Sequence, residues 1–148
     1  MQATHNDSPG RDAMLDSLKN RQPQTYAAMR IVAGFLFLWH GAQKLLGFPL
    51  EAPEVPAATL YIAGPIELIG GALIVLGLYT RYAAFLASGL MAAAYFIGHM
   101  FRAPEDADIL HYVFPLVNRG ELAALFCFVF LYIAAKGNGT CSLGGDED

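Results

Sequence analysis

Residues 82–101 read YAAFLASGLMAAAYFIGHMF, and from Tyr82 to Gly98 they contain no charged side chain. A helix on the surface of a soluble bundle keeps a polar stripe for water, and this run offers none on any face. Residues 116–135, LVNRGELAALFCFVFLYIAA, repeat the pattern, with no charge from Leu122 to Ala135. Two more apolar runs precede them, AAMRIVAGFLFLWHGAQKLL at 27–46 and LYIAGPIELIGGALIVLGLY at 60–79, so that four runs have 20 residues each. At about 1.5 Å per residue each makes about 30 Å of helix, the thickness of a bilayer's hydrocarbon core. Strands of membrane barrels are shorter and alternate in polarity, whereas these runs are continuous. The expected fold is all-α, a four-helix transmembrane bundle.

Composition agrees. A chain of 148 residues has room for one domain, and its 55% apolar and 15% charged residues compare with about 45–50% and about 25% in soluble domains. Intrinsic disorder is excluded. The net charge of −4 leaves no basic excess for a phosphate-binding surface, so nucleic acid is not an expected partner.

The connections are short: residues 47–59 with Pro49, Pro53 and Pro56, the pair Thr80-Arg81, and residues 102–115. Neighbouring helices should therefore run antiparallel, up-down-up-down. Six basic residues (Arg11, Lys19, Arg21, Arg30, Arg81, Lys136) fall on the side of the termini and three (Lys44, Arg102, Arg119) on the other. That bias predicts a multi-pass protein of the plasma membrane, the inner membrane in a bacterium, with both termini cytoplasmic. Residues 1–25 form a polar leader without the apolar core of a secretory signal. Within it Met14, Leu15 and Leu18 share one helical face, with Ser8-Pro9 as a start signal, which suits a short interfacial helix or, alternatively, a disordered tail. The membrane domain spans 26–136, and GNGTCSLGGDED at 137–148 reads as a flexible acidic tail. Cys127 reads as a packing residue and Cys141 as an inert exposed thiol, since no C-x-x-C is present.

Depth makes the polar residues informative. Measured from the outer end of each helix at about 1.5 Å per residue, Lys44 and His99 lie about 3 Å in, Glu121 about 7 Å, His40 about 9 Å and Glu67 about 10 Å. All fall in the outer half. The inner half holds only Arg30, at an edge from which its side chain is expected to snorkel. Unpaired charge near the bilayer centre costs about 2.5–3.5 kcal/mol, so these groups should face inward and pair. His40 and Lys44 are four residues apart on one face. Glu67 shares a stripe with Gly64, Gly70, Gly71 and Ile74, and His99 with Tyr95 and Arg102; the expectation is one polar pocket in the outer half of the bundle. Taken singly, each residue has a plainer reading. Glu67 and His40 serve equally as hydrogen-bonded bundle residues, Lys44 as a snorkelling cation, Arg102 and Arg119 as interfacial anchors, and Trp39, Tyr61, Tyr79 and Tyr95 as belt or packing residues.

The runs FLFLWHGAQKLLGF (35–48), AGPIELIGGALIVLGLYTRYAA (63–84), GHM (98–100) and NRGELAALFCFVFLYIAAKGNGTCSL (118–143), taken in that order, resemble the DoxX family of small four-helix membrane proteins. The similarity extends over about residues 27–143, and the matching positions are His40, Gln43, Lys44, Glu67, Gly70, Gly71, Arg81, Asn118 and Glu121. The resemblance implies a small subunit of a quinone-linked oxidoreductase, such as thiosulfate:quinone oxidoreductase, or a membrane partner in a redox or thiol-stress assembly. One position departs from it. Relatives often carry an aromatic residue just before the Ser-Leu of the tail, where this chain has Cys141.

The expected function is a membrane redox accessory that binds a quinone or similar carbonyl compound in the outer pocket. Glu67, Lys44 and His40 are the candidate catalytic residues; Gln43, His99, Arg102, Asn118 and Glu121 are the candidate ligand-binding residues. Lys44 and His40 can donate to a carbonyl, and Glu67 can relay a proton. The chain carries no flavin, nicotinamide, haem or iron–sulfur motif, so a cofactor-bearing oxidoreductase partner is expected beside the lipid bilayer, and a homo-oligomer is a further expectation. A non-enzymatic membrane scaffold or assembly factor is the alternative, its buried polar layer fixing helix register. Small-solute or metal handling ranks lower, because His40, His99, His111 and Met100 lack the spacing of a ligand set, and no metal site is expected.

Overall fold

Gly47 and Gly77, at φ 62° and 70°, take the left-handed conformation that a residue without Cβ adopts cheaply, and they end the first two long helices. The computed structural model describes residues 9–57 and 59–145, in which seven helices and no strands occur. Helix α1 is Pro9–Asn20 and α2 is Gln22–Leu46. Helices α3, Thr59–Leu76, and α4, Thr80–Met100, are long and apolar enough to cross a membrane. Two short helices follow, α5 at Ile109–Val113 and α6 at Pro115–Asn118, before α7 at Glu121–Lys136. Asp108 caps α5, its carboxylate accepting the Ile109 N–H at 2.6 Å. The expected start signal at Ser8 and the acidic residues 146–148 lie outside the described residues.

The long helices pack α2 on α3, α3 on α4, α4 on α7, and α7 back on α2. Each neighbouring pair is antiparallel. Gly41 faces Gly64 while Gly34 faces Gly71, and Arg81 reaches Ala135 while Ser88 donates to the Cys127 carbonyl at 2.8 Å. The interior is built from small residues, Ala33, Ala83, Ala84 and Ala87, around Phe37, Ile74, Phe130 and Ile133. The Phe37 and Phe130 rings sit 4.7 Å apart, centre to centre. The large apolar side chains point outward instead: Phe35, Leu36, Ile69, Phe85, Leu86, Ile97, Leu125 and Phe128 are all exposed. A soluble protein sorts these classes the other way; small residues at helix contacts and bulky ones outside suit an apolar solvent.

Three expectations are revised. Residues 116–135 do not form one helix. Arg119 turns left-handed at φ 60°, and the Gly120 N–H is taken by the Pro115 carbonyl and the Asn118 Oδ1, so α6 stops and α7 starts afresh at Glu121. Residues 137–145 are not a loose tail. Gly137 and Asn138 are buried, and the Tyr26 hydroxyl donates to the Gly137 carbonyl at 2.5 Å.

Arg30 does not snorkel; its residue exposure is 0%. Its guanidinium donates to the carbonyls of Ile74 and Val75, the latter at 2.9 Å, and to those of Thr140 and Cys141 at 3.3 and 2.7 Å. The last four carbonyls of α3, which a helix leaves unpaired, are thereby all satisfied. Leu73 accepts from Leu78, Ile74 from Gly77 and Arg30, Val75 from Arg30, and Leu76 from the Leu143 N–H of the tail. A cation at the negative end of the α3 dipole adds to this. Arg81 does the same for α7, donating to the Ala134 and Ala135 carbonyls at 3.3 and 2.7 Å.

Candidate functional site

Close approach of α2 and α3 creates the buried charge pair. Gly34 and Gly41 on α2 and Gly64 and Gly71 on α3 are each seven residues apart; a Cβ on Gly34, Gly41 or Gly71 would crowd the facing backbone, and one on Gly64 the Leu45 side chain. A Cβ on Gly71 would stand 2.6 Å from the Leu38 nitrogen. With the helices drawn together there, Lys44 in the last turn of α2 reaches Glu67 on α3. Lys44 Nζ lies 2.5 Å from Glu67 Oε2, with side chains 14% and 5% exposed. Glu67 sits in a π-helical stretch, Ile66–Gly70, directly after Pro65. Proline removes a backbone donor and crowds the preceding turn, and a widened turn accommodates it; such turns recur at functional sites.

Around this pair the other candidates are looser. His40 is exposed one turn before Lys44 on α2. Gln43 is half-buried and donates from Nε2 to the Glu51 carbonyl at 3.2 Å, tying the following loop to α2.

His99 and Asn118 belong to a second cluster. A carbonyl oxygen only accepts, so His99 Nδ1–H donates to the Asn118 carbonyl at 3.2 Å and His111 Nε2–H to the His99 carbonyl at 3.0 Å. Asn118 Nδ2 closes the set on the His111 carbonyl at 2.9 Å. His99 also lies on a π-helical stretch, Ala94–Met100. This clasp folds α5 and α6 back onto the end of α4, and the Tyr95 ring covers Gly120, where a Cβ would meet its Cδ2 at 2.6 Å.

Arg102 and Glu121 join neither cluster. Both are exposed, and Glu121 borders an open depression of about 520 Å³ with Arg119 and Leu122. The single expected chamber is thus two clusters and two exposed charges. The break at Arg119-Gly120 sets Glu121 apart by placing it in the first turn of a new helix, and Arg102 lies beyond the end of α4 at Met100. Trp39 packs edge-on against Phe35 at 5.7 Å and against Phe48 at 5.7 Å. Cys127 is half-buried beside Ser88, and Cys141 is exposed in a left-handed conformation at φ 57°. Among the described residues no group of three or more His, Cys, Asp or Glu side chains is placed to hold a metal ion.

Residues 26–100, which carry Lys44, Glu67 and His99, match the family model named DoxX. The chain belongs to the DoxX family. DoxX proteins are small integral membrane proteins, in keeping with the apolar exterior of α2, α3, α4 and α7. Among its relatives is a protein of Haemophilus influenzae named "Uncharacterized protein", 39% identical over 133 residues, which are 87% of this chain and 95% of the relative. A second is "Putative oxidoreductase CatD" of Bacillus subtilis, 26% identical over 115 residues, 74% of this chain and 77% of that one. No solved structure matches.

Reasoning from sequence passed over Arg30 as a binding centre in this DoxX protein. The available signal was the glycine-rich stretch at 137–145, which leaves carbonyls open to a buried cation, together with a charged residue inside an apolar run.

Proposed function

We propose that this DoxX protein is a four-span plasma-membrane protein with both termini cytoplasmic. It binds a quinone or similar apolar carbonyl compound beside Lys44 and Glu67 and works with a cofactor-bearing oxidoreductase partner. The observation that carries the reading is the Lys44–Glu67 pair, 2.5 Å apart and withdrawn into the packing of two apolar helices. Removing two charges from water costs several kcal/mol per ion, so a pair retained there points to a use beyond packing. The relative named as an oxidoreductase supports the same class of activity.

The residues suit such a ligand. An ammonium has three N–H donors, and Glu67 occupies one, leaving donors on Lys44 Nζ for a carbonyl oxygen. The His40 imidazole offers another from the more exposed side. Lys44 Nζ can give a proton to an oxygen of the reduced ligand, and Glu67 Oε2, in contact with Nζ, can relay to it a replacement proton taken up from solvent. Gln43 holds the loop at Glu51 and keeps α2 in position. A quinone, when bound, takes up two electrons with two protons; the electrons are assigned to the partner.

A scaffold role is the second reading, favoured because Lys44 and Glu67 satisfy each other and hold α2 to α3. Purification in mild detergent followed by solvent extraction and chromatography separates the two. The redox reading expects quinone in stoichiometric amount with the wild type, and its loss in the doubly apolar K44M/E67L protein with helix content by circular dichroism unchanged. A protein free of quinone whose partner recovery is indifferent to K44M/E67L supports the scaffold instead.

A further inference from the structure

A second site lies at the opposite end of the bundle from Lys44 and Glu67. Helix α1, the start of α2, the end of α7 and the tail enclose a cleft of about 1080 Å³, slightly above the range of about 300–1,000 Å³ common for ligand pockets. Its apolar walls come from Leu15 and Leu18 of α1, Met29 of α2 and Tyr132 of α7, and the basic groups lining it are Lys19 and Lys136. Among the described residues no Asp or Glu lines it. Leu15, Leu18 and Tyr132 are also exposed, so the apolar wall continues into the bulky outer face of α7, where Phe128 and Leu131 are exposed.

We propose that this cleft binds an acidic phospholipid, acyl chain against Leu15, Leu18 and Met29 and headgroup phosphate between the Lys19 and Lys136 ammonium groups. Two cations above an apolar trough complement an anionic amphiphile, and a neutral lipid forgoes the charge interaction. Lys136 is exposed in the last turn of α7. Lys19 is shared with Asp16 at 3.3 Å, but both side chains are 68% exposed, and a solvated pair of that kind holds its partner weakly enough for a phosphate to compete. Leu18, one residue before Lys19, reaches the same cleft, so α1 supplies it with both apolar and cationic contacts. The inference stands apart from the redox reading, since it uses none of its residues.

Native mass spectrometry of the full-length protein, loaded with phosphatidylglycerol or with phosphatidylcholine of identical acyl chains, tests it. The expected result is preferential retention of phosphatidylglycerol, reduced about fivefold by K19Q and about fivefold by K136Q, as for one cation near an anionic surface. L18S should lower retention of both lipids. Equal retention of the two lipids, or wild-type retention in K19Q/K136Q or in L18S, overturns the proposal. Displacement of the phospholipid by millimolar inorganic phosphate also overturns it, by making the site one for a soluble anion. Both lysines are exposed, and an unchanged thermal midpoint in the variants shows that a loss of lipid is not a loss of fold.

Discussion

The two ends of the bundle bury charge in opposite ways. At the tail end Arg30 meets backbone: four carbonyls from α3 and the tail accept from its guanidinium, and among the described residues no carboxylate answers it. At the loop end Lys44 and Glu67 meet each other. A guanidinium whose two terminal nitrogens are spent on four carbonyls has no exposed donor to spare, and moving it would take from the end of α3 the donor on which Val75 depends. An ammonium joined to one carboxylate keeps spare donors. The first arrangement builds structure; the second leaves capacity for chemistry.

The sharpest way to break that contrast is at Arg30. Arg30→Met leaves the Val75, Thr140 and Cys141 carbonyls without their donor, and the loss of stability should be about 3–5 kcal/mol, as for breaking a buried charged network. Thermal unfolding in detergent measures it, and limited proteolysis should open the chain after Gly137. A loss under about 1 kcal/mol with an intact tail would mean that the clasp is not structural. At Glu67 the expected cost is smaller. Glu67→Gln strands a partly buried ammonium that retains some access to water, for about 2–3 kcal/mol, while K44M/E67L should return to within about 1 kcal/mol of wild type. A double-mutant cycle reads the coupling directly; a coupling near zero would make the pair incidental.

Much of this was legible beforehand, and the exceptions have causes. The charge-free run from Tyr82 to Gly98 declared an apolar environment, and α4 occupies it. Counting depth placed Lys44 and Glu67 about 7 Å apart along the bundle axis, yet they touch, because the long lysine stem spans that interval. The same counting misplaced Glu121, since it assumed an unbroken helix from Leu116 and hydropathy does not register the turn at Asn118-Arg119-Gly120. Arg30 was read as a surface cation because composition cannot distinguish a guanidinium facing lipid headgroups from one facing carbonyls. Two of those carbonyls belong to α3 and two to a segment more than 100 residues away.

Glycines extend the contrast to packing, with effects of opposite sign. A Cβ on Gly41 would lie 2.7 Å from the Leu68 Cα and 2.8 Å from the Gly64 carbonyl oxygen. These are backbone atoms that cannot rotate away, so Gly41→Ala should push α2 from α3 and cost about 1–3 kcal/mol. It should also weaken the Lys44–Glu67 contact that this approach permits. Gly89, in the middle of α4, is exposed with open space where its Cβ would go. There the only change is the entropy of a freer backbone, and Gly89→Ala should stabilise by about 0.5–1 kcal/mol. Thermal unfolding of the two variants side by side gives both signs in one experiment. If Gly89→Ala lowered the midpoint instead, the open space beside Gly89 would have to be filled in the native protein by another helix, and α4 would be the seam of a larger assembly.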